Sequence, residues 1–293
     1  MCDEQTVRDN EAYLHTSAGM SRRQFAGAAA GAAIAMLLPR SGNALTVSGR
    51  DVRITTPDGE ADAYFVHPAE GKHPGVIVWP DIRGLRPAFR QMADRLAGSG
   101  YAVLVVNPFY RDARAPLVPE GASFQDEATR AVLMPLYNSI TSTTTDVDAK
   151  ALVDFLDAQT EVDTTGGIGT MGYCMGGPMT LHSAAAVPDR VAAAASFHGS
   201  RLVTDAEDSP HLRVPGMSAS FLIAIAENDD ARDPQAKDVL ELVFDDAGLA
   251  AEIEVYEGAL HGWCPPDSSV YHEGQAERAW ERLLVLFESA LKS

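Results

Sequence analysis

The sequence predicts an α/β fold, a mostly parallel central sheet with helices on both faces. Short, wholly apolar runs such as Val76-Ile77-Val78-Trp79 and Ala102-Val103-Leu104-Val105-Val106 read as strands buried on both faces. Amphipathic stretches alternate with them, as crossover helices do in parallel sheets. No internal repeat or low-complexity linker divides the chain.

Taken in order, residues 52–55 and 61–66 read as two strands around the turn Pro57-Asp58-Gly59. The strand at 76–79 leads to a helix over 87–97, with Phe89, Met92 and Leu96 on one side and Gly98 or Gly100 to end it. After the strand at 102–106, residues 107–145 are less regular. Ser123 and Asp126 can cap a short helix there, which Pro135 is expected to interrupt. Val147, Ala151, Leu152, Phe155 and Leu156 recur at helical spacing. A Gly-rich strand over 167–172 precedes a helix over 176–186, and further strands follow at 193–197 and 221–226. A helix over 232–247, a strand over 251–256 and a long amphipathic helix complete the chain; Trp280, Leu283, Phe287 and Leu291 mark the buried face of that last helix.

The first 44 residues read as an address. Ser21-Arg22-Arg23-Gln24-Phe25 precedes an uncharged run over 26–38 and the small-residue site Gly42-Asn43-Ala44. These are the parts of a secretory signal, and the paired arginines resemble a twin-arginine leader. The apolar run is shorter than the roughly 20 residues that span a bilayer. Export to the periplasm through the export machinery is therefore expected, with no stable membrane anchor. Residues 45–293 are expected to form a single domain, since about 250 residues suit one α/β core.

Acidic residues number 41 against 23 basic ones, a formal charge of −18. Such a surface repels phosphate backbones and argues against nucleic acid as a partner. Cys2 falls in the leader, leaving Cys174 and Cys264. In an oxidising compartment two cysteines invite a disulfide, a reading that competes with a free catalytic thiol. The sequence lacks H-E-x-x-H and paired Cys/His spacings, and the glycines of 166–177 lack the lysine of a P-loop. No metal and no cofactor are expected.

The chemistry concentrates in Gly172-Tyr173-Cys174-Met175-Gly176-Gly177, between a strand and a helix. There the pattern matches a nucleophile elbow, G-x-S-x-G, with Cys in place of Ser. Taken alone it could be an inert buried Cys in a Gly-rich turn. Asp229-Asp230 after the strand at 221–226 and His261 after the strand at 251–256 supply the acid and base in the chain order of the α/β-hydrolase fold. Counting from the strand favours Asp229; counting back from Pro234 favours Asp230. The oxyanion donors expected for this fold are the backbone N–H groups of Met175 and of Ile82, in the loop after Trp79.

From Val52 onward the chain resembles the dienelactone hydrolase family. The resemblance is carried by the G-x-C-x-G elbow, Ser196-Phe197-His198-Gly199, Leu260-His261-Gly262-Trp263, Tyr271 and Ala276-Glu277-Arg278-Ala279-Trp280. It implies an ester or lactone hydrolase with Cys174 as nucleophile, His261 as base and an Asp as its orienter. It also implies an accessory acidic residue near the thiol, for which Asp81 is the counterpart, and cations facing a substrate carboxylate at Arg111 and Arg201. The residues alone leave two alternatives: a general esterase or thioesterase, and an exported binding protein that has lost turnover. His182 and His198 read as packed, hydrogen-bonded histidines.

Overall fold

The computed structural model describes residues 4–17 and 44–292. Ser21 to Phe25, the apolar run and Gly42-Asn43 of the expected leader lie outside the described residues, as does Cys2. Residues 4–17 form helix α1 (Glu4–Ser17). The remainder builds one eight-stranded sheet.

Strand β1 (Val47–Thr56) turns through Pro57-Asp58 into β2 (Gly59–Pro68), an antiparallel hairpin in which Val47 faces Pro68 and Thr56 faces Gly59. Then come β3 (Gly75–Trp79), helix α2 (Pro87–Gly98), β4 (Ala102–Val106), α3 (Glu127–Ser139) and α4 (Ser142–Asp157). The second half runs β5 (Ile168–Tyr173), α5 (Gly176–Ala186), β6 (Val191–Phe197), a 3₁₀ turn (Pro210–Gly216) and β7 (Ser220–Ala226). It ends with α6 (Glu227–Arg232), α7 (Ala236–Ala247), β8 (Ala251–Tyr256) and α8 (Glu273–Leu291). The strand order is β1-β2-β4-β3-β5-β6-β7-β8, antiparallel through β4 and parallel from there to β8.

Alternation along the buried strands fills both faces. In β3, Ile77 and Trp79 enter one core with α4, α5 and α7, while Val76 and Val78 enter the other with α2 and α8. Trp79 also donates from Nε1 to Ser183 Oγ at 3.2 Å, tying β3 to α5. Leu283 and Phe287 of α8 are fully buried, each contributing about 1.5–3 kcal/mol over an exposed position. Local chemistry sets the helix ends. Thr141 and Thr144 form a reciprocal capping box at α4, His272 Nδ1 accepts the Gln275 N–H at α8, and Gly248 closes α7 with φ 67°.

Three local expectations change. The helix expected over 232–247 starts only at Ala236, and a separate short helix ends at Arg232, because Pro234 disfavours helical backbone at the residue before it, and Asp233 sits at φ −136°, ψ 73°. Pro135 does not interrupt α3, which runs on to Ser139 and is anchored on its inner side by the fully buried Leu133. Strand β1 begins five residues earlier than its apolar signal, since most of its early side chains are exposed and pair only through backbone.

Candidate active site

Every catalytic candidate stands at the C-terminal end of a parallel strand, where open α/β sheets place their ligands. Cys174 follows β5 directly. Its φ of 55° is a left-handed conformation rare for a side-chain-bearing residue, and it costs about 1–2 kcal/mol. The surroundings hold it there. Cys174 N donates to Phe197 O at 3.1 Å, and its carbonyl accepts from Gly177 N at 3.0 Å and Ser200 N at 3.4 Å. The flanking glycines are required by space. A Cβ on Gly172 would sit 2.0 Å from Gly176 O, and one on Gly176 would sit 2.3 Å from Trp79 O. The elbow thus packs backbone to backbone against the loop after β3.

That loop carries Ile82, which is buried in one cluster with Cys174 and Met175. Met175 opens the first turn of α5, where a helix leaves its N–H groups without intrahelical acceptors. Asp81 shapes the loop. Its Oδ1 accepts the Arg83 N–H at 2.9 Å, and its two oxygens accept from Arg86 at 2.7 and 2.8 Å. Burial pushes the Asp81 carboxyl up, but the Arg86 charge and hydrogen bond outweigh it and hold the group below the usual carboxylate range. Asp267 bridges Arg83 and Arg86 from the far side. Asp81 is therefore an ionised turn-former bound to Arg86.

The acid and base meet across the ends of β7 and β8. His261 Nδ1 lies 2.7 Å from Asp229 Oδ2, and the His261 N–H donates to Asn228 Oδ1 at 2.8 Å. Asp230 points elsewhere and accepts from Lys237 Nζ at 2.7 Å. Asp229 Oδ1 lies 3.6 Å from Arg232, which also pairs with Asp9 of α1 at 3.0 Å. Burial alone would lower the His261 pKa. The Asp229 charge, the charge on Cys174 and hydrogen bonds to both reverse this and raise it to about 10. Burial likewise favours the neutral Asp229 carboxyl, but His261 prevails and keeps it ionised. The His261 imidazolium and the Asp229 carboxylate are thus held as a charged pair next to the Cys174 thiol.

Of the two competing readings of the cysteines, the disulfide is not formed: Cys174 and Cys264 are both buried and neither is in a disulfide. They lie in different clusters, Cys174 beside Ile82 and Met175, Cys264 beneath α8 with Tyr173 and Trp280. His198 is packed but not hydrogen-bonded. It is 1% exposed, and neither ring nitrogen has a hydrogen-bond partner among the described residues. Its ring centroid lies 5.0 Å from those of His261 and Trp263. Burial first, then the His261 charge, lowers its pKa to about 3, so it stays neutral beside the imidazolium. His182 is remote, bonded to Arg213 at 2.9 Å.

The arginines diverge. Arg201 is exposed just after Ser200, with φ 60°, and makes no hydrogen bond or salt bridge among the described residues. Arg111 is instead committed to the β1–β2 turn and α4. Its Nε donates to Asp58 at 3.0 Å, Nη1 to Asp148 at 2.9 Å and Nη2 to both. Sequence reasoning missed Asn228, Arg86 and Asp267. Nothing in their local pattern announces a role: Asn228 and Asp267 act through partners distant in sequence, and Arg86 joins the nearby Asp81 to the distant Asp267. Among the described residues no His/Cys/Asp/Glu group could hold a metal, and no helix is long and apolar enough to cross a membrane.

Comparison with known proteins gives the family and the fold. A model of the dienelactone hydrolase family matches residues 61–291. A Synechocystis protein provisionally named carboxymethylenebutenolidase is 26% identical, covering 85% of this chain and all of its own length. The carboxymethylenebutenolidase of Rhodococcus opacus is 24% identical, covering 74% of this chain and 81% of its own. A solved structure from Klebsiella pneumoniae, provisionally assigned as a dienelactone hydrolase, superposes with a TM-score of 0.71 at 22% identity, covering 83% of this chain and 98% of its own. At that identity the likeness speaks for the fold, and the fold is that of the α/β-hydrolases.

Proposed function

Because the chain belongs to the dienelactone hydrolase family, we propose that it hydrolyses a carboxylic ester or lactone through Cys174, His261 and Asp229. The observation that supports this most is the charged Asp229–His261 pair beside a thiol held at φ 55° on the elbow. The thiolate adds to the substrate carbonyl, and the C=O π electrons move onto oxygen. The N–H groups of Met175 and Ile82 receive that oxyanion. As the carbonyl re-forms, the C–O bond to the leaving group breaks, and the imidazolium of His261 gives its proton to the departing oxygen. An acyl thioester on Cys174 remains. Neutral His261 then takes a proton from water, hydroxide adds to the thioester carbonyl, and collapse expels the thiolate. The acid product leaves and the imidazolium–thiolate pair is restored. Asp229 holds the imidazole tautomer and its charge throughout.

The twin-arginine-like leader supports the further reading that the enzyme works in the periplasm; cell fractionation with an Arg22→Lys, Arg23→Lys control tests it. Activity is tested by hydrolysis of a small aryl ester and a lactone, with wild type beside Cys174→Ala. Turnover that vanishes in Cys174→Ala, together with an acyl adduct on Cys174 seen by mass spectrometry, is the expected result. Undiminished turnover in Cys174→Ala would refute the mechanism.

A further inference from the structure

The thiol sits in an apolar cluster of distinct origin. Cys174 and Met175 cluster with Ile82, Phe109 and Leu133, with half-buried Leu117, Phe124 and Tyr137 packed against them. This cluster is separate from the two that fill the sheet faces. Its parts come from the loop after β3, the residues after β4, and α3 with the segment leading into it.

A carboxylate brought against such apolar side chains needs a cation or several donors, or it loses its hydration uncompensated. The neighbouring arginines are occupied. Arg83 bonds Ala122 O and Asp267, Arg86 bonds Asp81 and Asp267, and Arg130 bonds the carbonyls of Phe124 and Gln125. Adjacent residues after β4 show the partition. Phe109 joins the thiol cluster, whereas Tyr110 joins a sheet-face core, and Arg111 stacks on Tyr110 with its guanidinium carbon 4.6 Å from the ring centre. Arg111 thus leaves with Tyr110 and meets Asp58 and Asp148. Arg201 is exposed, so a carboxylate that stays at the solvent boundary would find its cation there.

We infer that the acyl group accepted at Cys174 is uncharged and apolar, and that Leu133 of α3 limits its length. This rests on Cys174 being the nucleophile and names the substrate class of that site. A lactone whose own carboxylate must enter with the reacting carbonyl is disfavoured, while an aliphatic or aryl ester, or a neutral lactone, fits the lining.

The test uses the full chain, with its free thiols counted, on a matched pair: a methylidene-butenolide and its carboxymethylidene counterpart. Each kcat/KM is divided by the lactone's own rate with hydroxide, to remove intrinsic reactivity. The expected result is a ratio about tenfold or more in favour of the neutral lactone. In a nitrophenyl ester series, Leu133→Ala should move the preferred acyl chain about two carbons longer, and Leu133→Val, the milder variant, should move it in the same direction. Equal or faster turnover of the carboxylated lactone overturns the inference and leaves the hydrolase reading standing. An unchanged chain preference in both variants, when folded, overturns the role of Leu133. Turnover of no lactone or ester by folded protein with Cys174 free overturns the hydrolase reading on which the inference rests.

Discussion

On one side of Cys174 stand His261, Asp229, Asn228 and Arg232, joined by hydrogen bonds of 2.7 and 2.8 Å and an ion pair of 3.6 Å. On the other stand Ile82, Phe109 and Leu133, none of which brings a polar side-chain atom. The polar side is attached to the ends of β7 and β8, two adjacent strands whose register runs from Phe221 against Ala251 to Ala226 against Tyr256. The apolar side is assembled from a loop, a strand end and α3. Rigid strands hold charges where tenths of an ångström matter, and the irregular segment supplies shape. On the proposed mechanism, one side performs the reaction and the other selects what undergoes it.

Substitutions on the two sides should therefore differ in kind. The largest effect is expected at Cys174 itself: Cys174→Ala should lower kcat/KM by about ten-thousandfold or more with the thermal midpoint nearly unchanged, read by ester hydrolysis and calorimetry. Asp229→Asn should follow, at about a thousandfold in kcat, whereas Asp230→Asn should stay within about twofold, because Asp230 serves Lys237. Equal losses in the two variants would contradict the assignment of Asp229.

Next comes pH. The His261 pKa, about 10 against its ordinary 6.5, makes the imidazolium–carboxylate pair a stabilising contribution that is complete below pH 6.5. It is lost as pH rises through about 10. Denaturant midpoints should fall across that window in wild type and flatten in Asp229→Asn. The same deprotonation removes the proton destined for the leaving group, so kcat/KM should decline above pH 10 by about tenfold per unit. A flat alkaline limb would mean that His261 is not the acid.

The smallest effect on turnover is expected at Arg111. Arg111→Ala should change kcat/KM for a neutral ester by less than about twofold. It should destabilise the fold by about 3 kcal/mol, because the buried Asp148 loses its partner. A large rise in KM for carboxylated substrates alone would return Arg111 to the substrate.

Much of this was legible in the sequence, and the boundary of legibility is physical. The elbow announces itself because close backbone passage demands glycine at 172 and 176 whatever surrounds it. The buried strands 76–79 and 102–106 show as unbroken apolar runs because both of their faces are covered. Asp229 and Asp230 could not be separated by counting, since one residue along α6 rotates a side chain by about 100° and only tertiary contact says which faces His261. Pro234 did carry a usable signal, overridden in the helical reading. The cluster around the thiol was illegible: over 107–140 the apolar residues follow no single period, and Leu133 joins Cys174 only through the fold. The pairing of Arg111 was illegible for a related reason, because its partner Asp148 lies a helix away.

The separate burial of the two described thiols has a practical consequence. Cys174 sits beside an imidazolium, while burial pushes the Cys264 thiol far above its usual range. An alkylating reagent that reaches Cys174 should therefore mark it in the native protein and spare Cys264 until α8 lifts away. Cys264 thereby becomes an internal clock for unfolding, recorded in the same molecule and by the same reagent that reports whether the nucleophile is intact.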